Sequence, residues 1–146
     1  MAHDSDVTLL YLVKQVELAV RSRLDDVTAA FGLTSLQYTA LTVLARKPGL
    51  TSAELARNSF VRAQTMAQMT SYLEEKNFLR READPDSKRQ FLLFLTPTGE
   101  EIVRELQAPV AEIEKALVAK LDPEHVREFR AALLAGRESL GGSSAH

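Results

Sequence analysis

The strongest constraint on this chain is a helix-start signal written twice, first in "LTSLQYTALTVLA" from Leu33 and again in "LTSAELA" from Leu50. In each copy a threonine, Thr34 or Thr51, is followed three residues later by Gln37 or Glu54. The hydroxyl can accept from the third helical N–H while the longer side chain reaches back to the threonine N–H. Leu33 and Leu50 stand just before, placed to staple onto Tyr38 and Leu55. The first helix is expected to run to about Arg46, where Pro48-Gly49 stops it, and the second is cut short by Asn58-Ser59. A third follows in "VRAQTMAQMTSYLEEKNFL", with Met66, Met69 and Leu73 on one face and Asn77 suited to a left-handed cap.

Upstream, Leu9, Val13, Val16, Val20, Leu24, Val27 and Phe31 repeat at spacings of three and four, one apolar stripe along a single long helix that Gly32 ends. Tyr11, Leu12 and Leu18 lie off that stripe, so the helix is expected to contact more than its own domain. Downstream, "FLRREADPDSKRQFLLFLT" is strand-like on both sides of Asp84-Pro85-Asp86. It predicts a two-stranded ribbon, about 78–83 and 90–95, with a charged loop at its tip. Thr96-Pro97 then opens a helix over about 97–120, with a kink or break expected at Pro109. Asp122-Pro123 opens the last helix, whose apolar face is Val126, Phe129, Ala132, Leu133 and Leu140. "GGSSAH", from Gly141, reads as a loose tail.

A length of 146 residues fits one domain. No apolar run approaches the length of a membrane span, and the acidic, polar "MAHDSD" argues against a secretion signal, so the expected location is cytoplasmic. The absence of cysteine excludes disulfides, thiol nucleophiles and zinc–thiolate sites. His3 and His146 lie at the ends, so no histidine metal cluster is expected, and no cofactor. The adjacent carboxylates Asp25-Asp26, Glu74-Glu75 and Glu100-Glu101 point about 100° apart on a helix and do not converge. An enzyme is not expected. Net charge is −2, but residues 57–96 carry seven bases and five acids, whereas 97–146 carry six bases and nine acids. The centre is basic and its flank acidic.

Helix, short helix, helix and basic ribbon, in that order, make a winged helix-turn-helix, which sets its second helix in the DNA major groove. "LTSAELA", "SFV…QTM…LEEKNFLRR" and "DPDSKRQFLLFLTPTG" resemble the multiple-antibiotic-resistance regulator (MarR) family, and the resemblance covers roughly residues 7–140. It implies a mainly α fold with a small β-ribbon. Residues 33–96 would form the DNA-binding lobe, and 7–31 and 97–140 the helices of a homodimer. It implies repressor-type control, often relieved by a small aromatic or phenolic ligand. The partner is then a pseudo-palindromic duplex. A winged-helix module that binds protein instead, or a regulator blind to ligands, is the alternative.

With Met66, Met69 and Leu73 turned inward, Ala63, Gln64, Ala67, Gln68 and Ser71 face outward and Thr65 stands near the leading end. Gln can bridge adenine N6 and N7, Thr can touch a base edge, and small alanines allow close approach. The plain alternative is a solvated helix face. Arg62 occupies the capping position, where the family often has Ser or Thr before a Pro. Either its uncapped N–H groups meet a phosphate or the cap is simply weak. In the wing, Ser87-Lys88-Arg89 replaces the family's Asp-x-Arg, leaving Asp84 or Asp86 to hold the Arg89 guanidinium. Lys88 is expected on phosphate and Arg89 in a minor groove, against the alternative of a solvated loop. Tyr11, Phe31, Tyr38 and Tyr72 could line a ligand pocket, with core packing the competing role of each. Arg80 and Arg81 either reach DNA backbone or lie solvated.

Overall fold

The computed structural model describes residues 6–141. His3, His146 and the tail beyond Gly141 lie outside the described residues. The elements run α1 (Leu9–Thr28), a 3-10 turn (Ala29–Phe31), α2 (Ser35–Arg46), α3 (Ser52–Asn58) and α4 (Ala63–Glu75). Strands β1 (Leu79–Asp84) and β2 (Ser87–Leu95) follow, then α5 (Pro97–Leu117) and α6 (Pro123–Ser139).

Both capping boxes form. Thr34 accepts from the Gln37 N–H at 3.2 Å while the Gln37 side chain accepts from the Thr34 N–H at 3.0 Å. Thr51 accepts from the Glu54 N–H at 3.2 Å, with the Glu54 carboxylate returning to the Thr51 N–H at 3.2 Å. α1 tightens in its last turn because the Thr28 hydroxyl donates to the Leu24 carbonyl at 2.9 Å. Gly32 then closes it at φ 71°. A carboxylate clasps α1 to the start of α2: Asp25 accepts from the Ser35 N–H at 2.8 Å.

The core is the inner faces of α2, α3 and α4 with the root of the ribbon and the first turns of α5. Leu41, Leu44, Leu55, Met66, Leu73, Leu79, Leu93 and Leu106 are fully buried, each contributing roughly 1.5–3 kcal/mol of transfer free energy. The ribbon is rooted twice. Its antiparallel pairing runs from Leu79 opposite Leu95 to Ala83 opposite Phe91, and Leu93 also pairs with Leu50 in the loop before α3. At the other end of β2, the Thr96 hydroxyl donates to the Asn77 carbonyl at 2.6 Å and accepts from the Gly99 N–H at 3.0 Å. There α5 passes so close to the α4–β1 corner that a Cβ on Gly99 would lie 2.0 Å from the Phe78 carbonyl oxygen.

Two expectations need correction. The ribbon is longer than 78–83 and 90–95, and the charged loop shrinks to Pro85-Asp86 because the Asp84 carboxylate accepts from the Asp86 N–H at 2.9 Å and closes a tight turn. Lys88 and Arg89 therefore lie on β2, in the stretch where the register slips between Ala83 and Asp84. The helix at Pro109 does not break. α5 runs through it to Leu117, short of 120, since one missing N–H is tolerated in a long helix packed along α1. The apolar stripe of α1 is buried only in part: Leu9, Val13 and Val16 stay exposed, Leu9 at 79%.

α6 contributes no buried residue. Leu133 and Leu134 are exposed, and Leu140 is 85% exposed. Between the end of α5 and α6 lies an apolar cleft of about 360 Å³ walled by Leu117, Val118, Val126, Phe129, Leu133 and Leu134. Among the described residues no single helix is long and apolar enough to cross a membrane.

Candidate functional site

α4 divides cleanly. Met66, Met69, Thr70 and Leu73 are buried, which turns Ala63, Gln64, Ala67, Gln68 and Ser71 to the outside and leaves Thr65 half-buried. Its first turn is open. Arg62 is the N-cap in an extended conformation and makes no side-chain cap, so the leading N–H groups carry only the helix's partial positive charge. The Ser71 hydroxyl donates to the Ala67 carbonyl at 3.1 Å, keeping its lone pairs for an incoming donor.

The wing stands beside this face. A cleft of about 390 Å³ runs between them, with Ala67, Thr70 and Ser71 of α4 on one wall and Arg81, Arg89, Gln90, Phe91 and Leu93 of the ribbon on the other. Thr51, Ser52 and Ala53, at the start of α3, close its end. Arg89 thus meets Ala67 and Ser71 in one concavity, whereas Lys88 stays exposed outside it. Ser87 is half-buried and its hydroxyl accepts from the Arg89 N–H at 3.4 Å, shaping the turn. Neither Asp84 nor Asp86 holds the Arg89 guanidinium, contrary to expectation. Among the described residues no carboxylate pairs with Arg62, Lys88 or Arg89.

The other two guanidiniums of the ribbon are engaged. Arg81 pairs with Glu74 at the end of α4 and sits 5.9 Å from the Phe91 ring centre. Arg80 pairs with Glu82 and stacks 4.7 Å over Phe94. Phe91, the outermost of the strand's apolar residues, is 50% exposed, while Leu93 and Leu95 below it are buried. The alternation of β2 is therefore core-facing at its root and open at its tip.

The residues at the start of α3 were not foreseen as part of the site. Thr51 reads in the sequence only as a cap, and the cap has an electrostatic consequence: the Thr51 N–H and hydroxyl hold the Glu54 carboxyl below its usual range. The four aromatics weighed between core packing and a ligand pocket take separate positions. Tyr38 is buried, its phenol pushed up by desolvation, and Phe31 packs against the same core. Tyr72 donates to the Gly32 carbonyl at 2.7 Å, and Tyr11 is exposed on α1. Among the described residues no three His, Asp or Glu side chains gather as a metal site.

The sequence model of the MarR family matches residues 31–90, from the end of α1 to the middle of the wing. The HTH-type transcriptional repressor Rv2887 of Mycobacterium tuberculosis is 32% identical over 136 residues, covering 93% of this chain and 95% of its own. The crystal structure of Rv2887 in complex with salicylic acid superposes with a TM-score of 0.71 at 30% identity, covering 92% of this chain and 98% of that one. A crystal structure of MarR superposes at 0.85 with 27% identity, over 96% and 95% of the two chains. Staphylococcus aureus MepR, in its DNA complex, shares the fold at 0.83 with 24% identity, over 91% and 98%. With this level of identity along nearly the whole chain, and the same helix order and wing, the chain belongs to the MarR family of transcriptional regulators.

Proposed function

We propose that this protein is a homodimeric repressor that binds a specific double-stranded DNA sequence and is released by a small aromatic or phenolic ligand. The observation that carries the proposal is the cleft in which the polar outer face of α4 meets the unpaired guanidinium of Arg89. α4 lies in the major groove, where Gln64 and Gln68 read adenine edges, Thr65 contacts a base edge, and Ala63 and Ala67 let the backbone approach. Arg62 and the open helix start receive a phosphate, and Ser71 offers a hydroxyl at the cleft wall. Lys88 meets phosphate and Arg89 enters the adjoining minor groove, where narrow A·T-rich steps concentrate negative potential. Ser87 sets the turn that aims them. MepR, a protein of this fold, is known in complex with DNA.

The dimer is supported by what a single chain leaves uncovered. Leu9, Leu10, Val13 and Val16 of α1 and Leu133, Leu134 and Leu140 of α6 are exposed in one copy, and large apolar side chains grouped on exposed helices mark a protein–protein contact. A second copy laid against α1 and the α5–α6 cleft covers them and sets two α4 helices about 34 Å apart, one helical turn of DNA. Rv2887, known in complex with salicylic acid, supports an aromatic effector. A ligand can shift the spacing only by binding one arrangement more tightly than the other.

Duplex binding measured across ionic strength tests the reading. Contacts to several phosphates predict that affinity falls on the order of a hundredfold or more between 50 and 200 mM salt. Binding to protein partners with no response to salt would instead favour an interaction module. Titrating phenolic compounds into the DNA-bound protein tests release.

A further inference from the structure

The cleft between α4 and the wing is walled by two guanidiniums, Arg81 and Arg89, and the fold treats them differently. Arg89 has no carboxylate partner among the described residues. Arg81 is held twice: the Glu74 carboxylate pairs with it across the α4–β1 corner, and the Phe91 ring centre lies 5.9 Å from its guanidinium. Glu74 is a costly residue for its place. Ala67, Ser71 and Glu74 are spaced four and three, so Glu74 continues the outward line of α4 one turn beyond the cleft wall. There a carboxylate repels phosphate, and in the last turn of the helix it also meets the negative end of the helix dipole. The fold gains little in return, since the two side chains of the pair are 35% and 44% exposed and exposed ion pairs contribute little to stability. What Glu74 does accomplish is to neutralise Arg81.

Resting on the DNA-binding reading above, we infer that Glu74 sets how strongly this protein holds DNA of any sequence, by keeping Arg81 off the phosphate backbone. With Arg81 paired to Glu74 and stacked on Phe91, Arg89 is left to supply the charge of the wing wall, and the sequence-independent attraction to duplex stays low. That attraction matters because an operator competes with a great excess of other DNA. Glutamine at position 74 keeps the size of the side chain but not its charge. The Arg81 guanidinium is then released toward a phosphate, which it can meet with two parallel N–H groups.

The probe is a random-sequence duplex, with Kd measured at several salt concentrations for the full chain, beside the duplex that the wild type selects and thermal melts of each variant. Glu74→Gln should melt near the wild-type temperature and bind random duplex about fivefold more tightly at 50 mM salt, with a slope of log Kd against log salt steeper by about one. Removing any negative charge near DNA strengthens binding, so Glu75→Gln is the reference. Glu75 makes no ion pair among the described residues and stands about 100° away around the helix. Its substitution changes the net charge equally and should give a smaller gain with an unchanged slope. In an Arg81→Ala background, Glu74→Gln should gain no more than Glu75→Gln. Equal effects of the Glu74 and Glu75 substitutions, or a Glu74→Gln gain that survives Arg81→Ala, overturns the inference while leaving DNA binding intact. So does a Glu74→Gln protein that loses affinity for the selected duplex with random binding unchanged, the behaviour of a mere brace for the wing. Failure of the wild-type protein to bind any duplex overturns both.

Discussion

Leu93 and Leu50 are bound to each other through their backbones: the Leu93 N–H donates to the Leu50 carbonyl at 2.8 Å, and the neighbouring Gly49 N–H donates to the Leu93 carbonyl at 2.9 Å. This short bridge ties the wing to the loop that starts α3. It also places Arg89, on the same strand, against the face of α4. Leu93→Ala removes the buried side chain at the root and should cost roughly 2–5 kcal/mol, read by urea unfolding. The same variant should lose DNA affinity beyond what instability explains, because the backbone bridge to Leu50 then lacks the buried side chain that seats the wing on the core.

The junction of α5 with the α4–β1 corner leaves no space for a methyl group. Gly99→Ala drives a Cβ into the Phe78 carbonyl, and the backbone must shift to admit it. A loss of about 1–3 kcal/mol is expected. If α5 also fixes the spacing of the two lobes, this variant changes the preferred half-site spacing, measurable with duplexes of altered spacer length.

Asp25 gives the protein an acid-sensitive clasp between α1 and α2. The Ser35 N–H and side chain hold its carboxyl below the usual carboxylate value. The sign follows from linkage: a carboxyl whose folded pKa is depressed stabilises the fold fully above its unfolded value, about 3.9, and that contribution is lost as pH falls through the lower folded value. Asp25→Asn should therefore lower stability at neutral pH and flatten the pH dependence of the melting temperature below about pH 4. An unchanged acid limb would remove Asp25 from the account.

The unpaired charges and the polar face of α4 predict different signatures on DNA. Arg89→Ala should weaken binding to all sequences and reduce the salt slope by about one. Gln64→Ala or Gln68→Ala should cost about 1–3 kcal/mol on the preferred sequence and less on others, with the salt slope intact. Equal effects of the two Gln substitutions on specific and random duplexes would remove the base-reading role.

Much of this was legible because the signals are local. Thr34 with Gln37, Thr51 with Glu54, and the inward set of Met66, Met69 and Leu73 each depend on residues within one or two turns, and all formed as read. The wing tip was misread because its register depends on distant partners. The Asp84 side chain closes the turn, Leu50 pins Leu93 from another part of the chain, and the excess residues around Lys88 and Arg89 are taken up in the strand. Arg81 looked like a free cation, and only the fold brings Glu74 to it.

The exposed apolar faces of α1 and α6 make self-association testable by one charge. Leu133→Glu buries a carboxylate without a partner in any interface that uses α6, and should weaken association by roughly 3–5 kcal/mol, leaving the helix content unchanged. Sedimentation should then show a monomer where the parent is a dimer.

The central claim is that two copies present paired α4 helices to one duplex, and its most direct measurement is the mass of the protein–DNA complex by analytical ultracentrifugation on a selected duplex across a salt series. The account predicts two chains per duplex, with affinity dropping on the order of a hundredfold or more from 50 to 200 mM salt. One chain per duplex, or no complex even at the lowest salt, would contradict it.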